Sequence, residues 1–223
     1  MAILFFDTET TSAENPRLIQ LAYKKPGVEG EKYMFKPPVK IEFAAMAVHH
    51  ITQEMVNDKL LFGTHPDRKD IEDIFSKHTV VAHNARFDIG VMHNEGIEIE
   101  DYIDTLRCAQ HLLDSEAYNL QYLRYSLGLR FDQEINAHDA MSDVIVLEAL
   151  YNHLHFKARA IEPIYTEDYL RELSKTPVLM KTIPFGKHKG VPFSQIPRDY
   201  LDWLSRQPEL SEALRHTLNH HLK

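Results

Sequence analysis

Asp7 and Glu9 stand one residue apart in the stretch "LFFDTETTSA", just after the apolar run of residues 3–6. In an extended chain residues i and i+2 point to the same side, so both carboxylates can reach one point in space. Side by side they repel each other and lose hydration on burial, so a positive charge must compensate them. Two further stretches set acids in similar places. In "VVAHNARFDIG", a strand runs out at Ala82 and Asp88 falls in the first turn of an expected helix. Taken alone, Asp88 is explained equally well by the favourable field at a helix N-terminus. In "NAHDAMSD", Asp143 lies in the first turns of a long expected helix and His138 precedes it, while Asp139 stands where an N-cap is needed. Four carboxylates at strand ends and helix starts offer hard oxygen donors suited to Mg²⁺ or Mn²⁺. Two such ions about 4 Å apart can clamp the attacking and leaving oxygens of a phosphodiester. An imidazole such as that of His138 can accept a proton from water near neutral pH.

The elements that must carry these residues are legible in outline. Residues 2–6 read as a buried strand, and 17–24 and 31–36 as two more, with Pro26-Gly27 as the turn between them. "FAAMAVHHIT" gives a short helix and turn, "DRKDIEDIFSK" a helix, and "HTVVAH" a β-branched strand. "ARFDIGVMHNEG" reads as a helix ended by Gly96, and "DTLRCAQHLL" as one capped by Asp104. In a long helix from about 139 to 156, Ala140, Val144, Leu147, Tyr151 and Leu154 recur at helical spacing and form a core face. Strands followed by alternating helices and strands make an α/β body, expected over residues 1–156. Residues 157–177 read as a polar linker with a short helix at "TEDYLRELS", and 178–223 as a small α+β unit. In that unit Lys187 and Lys189 lie between Gly186 and Gly190, as a contact for DNA phosphates or equally as a solvated hairpin tip. Trp203 is expected to be the unit's core aromatic.

Composition narrows the class. The 223 residues suffice for one large domain or a domain with an appendage. No apolar run approaches the roughly 18 residues a membrane helix needs, and "MAILFF" is too short for a secretory signal core. Cys108 is the only cysteine, so no internal disulfide forms and a reducing cytoplasm is the expected location. Net charge is −8, which argues against binding nucleic acid by bulk neutralisation. From Val178 onward, however, seven Lys/Arg face four Asp/Glu, a net of +3, leaving −11 for residues 1–177. An acidic body with a mildly basic tail suits a protein whose carboxylates hold cations.

"DTET", "HNARFD" and "HDAMSD", in this order, resemble the three motifs of the DEDDh exonuclease superfamily, and "AMAVHHIT" and "IDTLRCA" resemble two further segments of it. The resemblance covers residues 1–156, and "FGKHKG…IP…YLDWL" is similar to the C-terminal unit of one bacterial DNA-degrading member. It implies a ribonuclease-H-like mixed sheet flanked by helices. It also implies a 3′→5′ exodeoxyribonuclease that releases 5′-mononucleotides from single-stranded or duplex DNA ends in DNA repair. Asp7, Glu9, Asp88 and Asp143 would then hold two Mg²⁺, with Mn²⁺ able to substitute, and His138 would be the general base. Thr10, His49, Asn84 and Phe87 match positions lining the terminal nucleotide, although Phe87 suits the core equally well. One departure is local: where many members carry a Gly-Leu wedge after the first motif, this chain has Ser12 and Ala13. Two other readings stand beside this one. One is an exonuclease of the same superfamily that trims RNA 3′ ends. The other is a non-catalytic nucleic-acid-binding adaptor, against which the presence of all five catalytic residues argues.

Overall fold

A computed structural model gives the structure of residues 2–223. The chain divides into two compact units, one reaching Ser174 and the other spanning Lys175–Lys223. The first is built on strands β1 (Ala2–Thr10), β2 (Leu18–Lys24), β3 (Glu31–Met34), β4 (His78–Ala82) and β5 (Tyr102–Asp104). They form one mixed sheet in the order β3-β2-β1-β4-β5, antiparallel from β3 to β1 and parallel from β1 to β5. This is the α/β body the sequence predicts. Its helices are α1 (Phe43–His49), α2 (Gln53–Val56), α3 (Arg68–Lys77), α4 (Ala85–Asn94), α5 (Thr105–Leu112), α6 (Leu120–Ser126), α7 (Ala140–Arg159) and α8 (Thr166–Lys175).

Both faces of β1 are covered, which is why its apolar run is unbroken. Ile3 and Phe5 join Val144, Leu147, Tyr151 and Leu154 of α7 in one core, while Leu4 and Phe6 join Phe75 of α3 and Val91 of α4 in the other. Every residue of the predicted α7 stripe is buried. β1 outlasts its parallel neighbour: its ladder with β4 stops at Phe5↔Val81, while its pairing with β2 continues to Thr10. Asp7 and Glu9 therefore project past the carboxyl end of β4, the edge where α/β sheets place their sites.

Two differences from the sequence reading concern the linker and one helix of the body. The expected linker over 157–177 does not leave the body, because α7 continues to Arg159 and α8 docks on it through Leu170 and Leu173. Ser174 Oγ receives the Asp104 backbone N–H at 2.8 Å and Cys108 Sγ donates to the Leu170 carbonyl at 3.4 Å, so the α8 seam is polar as well as apolar. β5 and α6 are too short to show a period, and sequence reading passed over α6.

The second unit packs α9 (Arg198–Ser205) against α10 (Glu212–Leu222) around Ile183, Phe193, Leu204, Leu214 and Leu218. Its expected strands reduce to a single antiparallel bridge, Thr182↔Pro192. Pro184 and Pro192 lack the N–H a ladder needs, and Gly186 and Gly190 both take positive φ. Trp203 is not the core aromatic: it is 55% exposed, because Leu201 and Leu204 occupy the inward positions of α9. A neighbouring helical residue is turned by about 100°, which carries Trp203 off that face. Among the described residues no helix is long and apolar enough to cross a membrane.

Candidate active site

Three elements deliver the acids to one place. β1 brings Asp7 and Glu9, the first turn of α4 brings Asp88, and the first turn of α7 brings Asp143. Ligand atoms of Glu9, His138 and Asp143 lie within 4.8 Å of one another. Asp7 has Asp88, Asp143, Glu9 and Asp139 as its charged neighbours. The expected gathering of acids from distant stretches is present.

Two of the acids, Asp88 and Asp143, are held by partners that sequence reading overlooked. Thr8 lies between the two β1 acids and faces the opposite side of the sheet. Its backbone N–H at 3.1 Å and its hydroxyl at 2.6 Å both donate to Asp88 Oδ1. Gln121 of α6 donates through Nε2 to Asp143 Oδ1 at 2.6 Å, and the His138 backbone N–H donates to Asp143 Oδ2 at 3.0 Å. Alternation along β1 could have singled out Thr8, whereas Gln121 sits on a helix with no visible period. Asp139 has the capping role the sequence suggests: it accepts from Ser142 N at 3.1 Å and pairs with Lys32 Nζ at 2.9 Å.

The remaining site residues sort by exposure. His138 is exposed and holds φ +62, in the left-handed region that costs most residues energy. Asn84, also exposed, takes φ +70 as the N-cap of α4, a conformation Asn tolerates well. Its backbone N–H donates at 3.1 Å to Asp104, whose carboxylate also accepts from Leu106 and Arg107 at the start of α5. This brace fixes the turn that aims Asp88. Thr10 is buried, and its hydroxyl donates to the Ser12 carbonyl at 3.1 Å. His49 is buried, with Nδ1 accepting from Ile51 N at 3.0 Å and Nε2 lying 3.2 Å from the Thr10 carbonyl. Burial pushes the His49 imidazole toward its neutral form, against the pull of the Thr10 carbonyl. Phe87 is partly buried and packs on the core between sheet and α4. Lys187 and Lys189 are exposed in the second unit.

The electrostatics are those of a cation site. Burial, then repulsion from Asp143 and Asp88, raises Glu9 from 4.5 to about 8. Burial likewise raises Asp88 from 3.8 to about 7, despite the Thr8 bonds. Burial and its acidic neighbours hold Asp7 well above the usual carboxylate range. Asp143 is also raised, chiefly by burial. Oxygen-only donors that resist ionising beside one another fit a hard divalent ion, which would neutralise them. Among the described residues, then, Asp7, Glu9, Asp88 and Asp143 could hold metal.

Between these ordinary and raised values, from about pH 4 to 8, the folded protein keeps protons that the unfolded chain gives up. In EDTA, stability is therefore fully present below about pH 4 and is lost as the pH rises toward 8. A tenfold difference in proton affinity is about 1.4 kcal/mol, and about 1 kcal/mol moves Tm by ~2–4 °C in a chain of this size. Calorimetry across this range should show Tm falling in EDTA and a flatter profile with excess Mg²⁺, since an ion bound to the folded state replaces the protons. A Tm in EDTA that rises toward pH 8 would contradict the charge arrangement.

Comparison with known proteins agrees with this geometry. Residues 4–151 match the family described as Exonuclease (RNase_T), and residues 171–219 match one described as putative quorum-sensing-regulated virulence factor. Exodeoxyribonuclease 10 of Escherichia coli K12 is 30% identical over 198 residues, 86% of this chain and 84% of that protein. Exonuclease X, solved in complex with 5′ overhanging duplex DNA, superposes with TM-score 0.61 at 23% identity over 77% of this chain and 99% of its own. The zinc-bound E. coli exonuclease I complex with single-stranded DNA gives TM-score 0.61 at 21% identity, over 75% of this chain and 42% of that one. The body thus has the fold of ribonuclease-H-like exonucleases, and the family match spans all three strand ends and helix starts that carry the acids. By its matched sequence and by the fold that gathers those acids, the chain belongs to the exonuclease family.

Proposed function

We propose that this chain is a 3′→5′ exodeoxyribonuclease that hydrolyses the terminal phosphodiester of a DNA strand and releases 5′-mononucleotides. The observation that carries the reading is the convergence of Asp7, Glu9, Asp88 and Asp143 beside His138, within a chain of the exonuclease family. The four carboxylates would hold two Mg²⁺, replaceable by Mn²⁺, which when bound supply Lewis-acid stabilisation of the charge developing on the phosphodiester oxygens. His138 takes the proton of the attacking water on a ring nitrogen. Its exposure lets it reach solvent, and its backbone bond to Asp143 ties its position to that carboxylate. Thr8 and Gln121 keep Asp88 and Asp143 from swinging away. Exposed Asn84 and the edge of Phe87 line the terminal nucleotide. His49 acts as a positioning residue, holding the Thr10 carbonyl beside it.

The relative named for DNA, exodeoxyribonuclease 10, supports DNA over RNA as substrate. No apolar wedge comes from the turn after the first motif, since Ser12 is buried with its hydroxyl on the Glu14 carbonyl and Ala13 is a small exposed residue. Single-stranded 3′ ends are therefore the preferred substrate. The test uses DNA and RNA strands of one sequence, labelled at either end, with Mg²⁺, Mn²⁺ or EDTA. The expected pattern is immediate mononucleotide release from 3′-labelled DNA, a descending ladder from 5′-labelled DNA, and neither in EDTA. RNA cut as fast as DNA would remove the DNA assignment. No release under any divalent ion would leave the adaptor reading.

A further inference from the structure

We infer that the second unit is a single-strand nucleic-acid-binding surface of its own, in which bases stack on Trp203 and its neighbouring rings while Lys187 and Lys189 take the phosphates. The function of the body does not use these residues. Trp203 is 55% exposed and Phe185 is 45% exposed, and with Leu204, Pro208 and Leu210 they line an apolar groove of about 310 Å³. Exposed aromatic surface of this kind on a unit of this size marks an interaction site.

The rings are arranged in series. His188 meets Tyr200 edge-on at 4.5 Å between centroids, and Tyr200 lies tilted against Trp203 at 5.4 Å. The loop of Gly186–Gly190 folds down on this ladder: both glycines hold positive φ, and a Cβ on Gly186 would come within 3.3 Å of the Tyr200 hydroxyl. That fold leaves Lys187 and Lys189 exposed on either side of His188. Neither lysine has an ion-pair partner among the described residues. Exposed aromatic rings with basic side chains alongside are what sequence-tolerant single-strand binders use, since every base has a π-face to stack on a ring and every nucleotide a phosphate.

Charge selects this occupant over a protein. From Lys175 onward the chain carries eight Lys/Arg against four Asp/Glu, a net of +4 on a chain of −8. The groove lining has one acid, Glu209, which suits a base there and turns the phosphates to the lysines. A duplex keeps its bases stacked inside and cannot use the rings.

Trp203 is the only tryptophan of the chain, so its emission reports on this surface alone. The experiment titrates the full chain, in EDTA to stop hydrolysis, with oligothymidylate of about 16 nucleotides. Emission and the anisotropy of the labelled strand are followed together. Saturable quenching in parallel with the anisotropy rise is expected, and blunt duplex should quench little. Trp203→Ala should weaken binding about tenfold, the equivalent of ~1.4 kcal/mol of stacking, while Trp203→Phe stays within about threefold. Replacing both Lys187 and Lys189 by Ala should flatten the slope of log affinity against log salt by about 1.4, roughly 0.7 per lysine on a single strand. Emission that stays unchanged while anisotropy saturates would overturn the inference. So would Trp203→Ala binding as tightly as the parent with an unchanged melting profile; either result would leave the groove to a protein partner.

Discussion

Replacing Asp7 by Asn will cut nucleotide release about a thousandfold or more in saturating Mg²⁺, and will raise rather than lower the Tm of the metal-free protein. The first effect comes from the charge that Asp7 contributes at the centre of the acid cluster. Metal-assisted stabilisation of a phosphoryl transition state is worth several kcal/mol, and about 4 kcal/mol is ~10³-fold in rate. The second effect comes from the same charge without the metal. Burial and four acidic neighbours penalise ionised Asp7, and Asn keeps the shape while removing that penalty. At pH 8 in EDTA each recovered kcal/mol should raise Tm by ~2–4 °C. The contrast is Asp139→Asn. Asp139 stands close enough to raise the proton affinity of Asp7, yet its side chain caps α7 and pairs with Lys32. Burial is outweighed by the Lys32 and Ser142 bonds, so it is held below the usual range and belongs to the fold. Asn is an equally good N-cap, so this variant should keep nearly full activity. Parental turnover in Asp7→Asn, measured as mononucleotide release, would remove Asp7 from the metal site. A lowered Tm would show that its carboxylate makes stabilising contacts instead.

The acids were legible because strand geometry leaves little choice: residues i and i+2 at the end of a run buried on both faces must converge. The α7 stripe was legible because a repeat over about four turns outweighs local ambiguity. What stayed hidden depends on which partner an element meets. "TEDYLRELS" shows its helix plainly, yet nothing in its polar composition says that Leu170, Leu173 and Ser174 dock on the body. Gln121 and Thr8 orient two of the acids through hydrogen bonds that no spacing rule encodes. Trp203 was misplaced because a tryptophan among leucines on a short helix reads as core. Which apolar neighbour turns inward is settled only by the packing of α9 on α10, and there Leu201 and Leu204 suffice.

His138→Ala should lose about 10²–10⁴-fold in turnover, the usual worth of a positioned general base. DNA affinity measured with Ca²⁺ in place of Mg²⁺ should change little. The side chain is exposed, so its removal opens no cavity, and the backbone N–H that holds Asp143 remains. Alanine tolerates the φ of +62 less well than Asn does, which makes His138→Asn the control for backbone strain. If both variants lose activity equally, strain is not the cause. A rival role must be separated from the base: a ring nitrogen of His138 lies within 4.8 Å of carboxylate oxygens of Glu9 and Asp143, where it could bind metal itself. The two roles differ in what they change. A lost base leaves Mn²⁺ affinity, measured by titration calorimetry, as it was, and turnover stays low however much metal is added. A lost ligand weakens Mn²⁺ binding, and turnover recovers as metal is raised to saturation. Because the imidazole is fixed only through its backbone and stands in solvent beside the buried acids, the first pattern is the expected one. Unchanged turnover in His138→Ala would assign proton transfer to water alone.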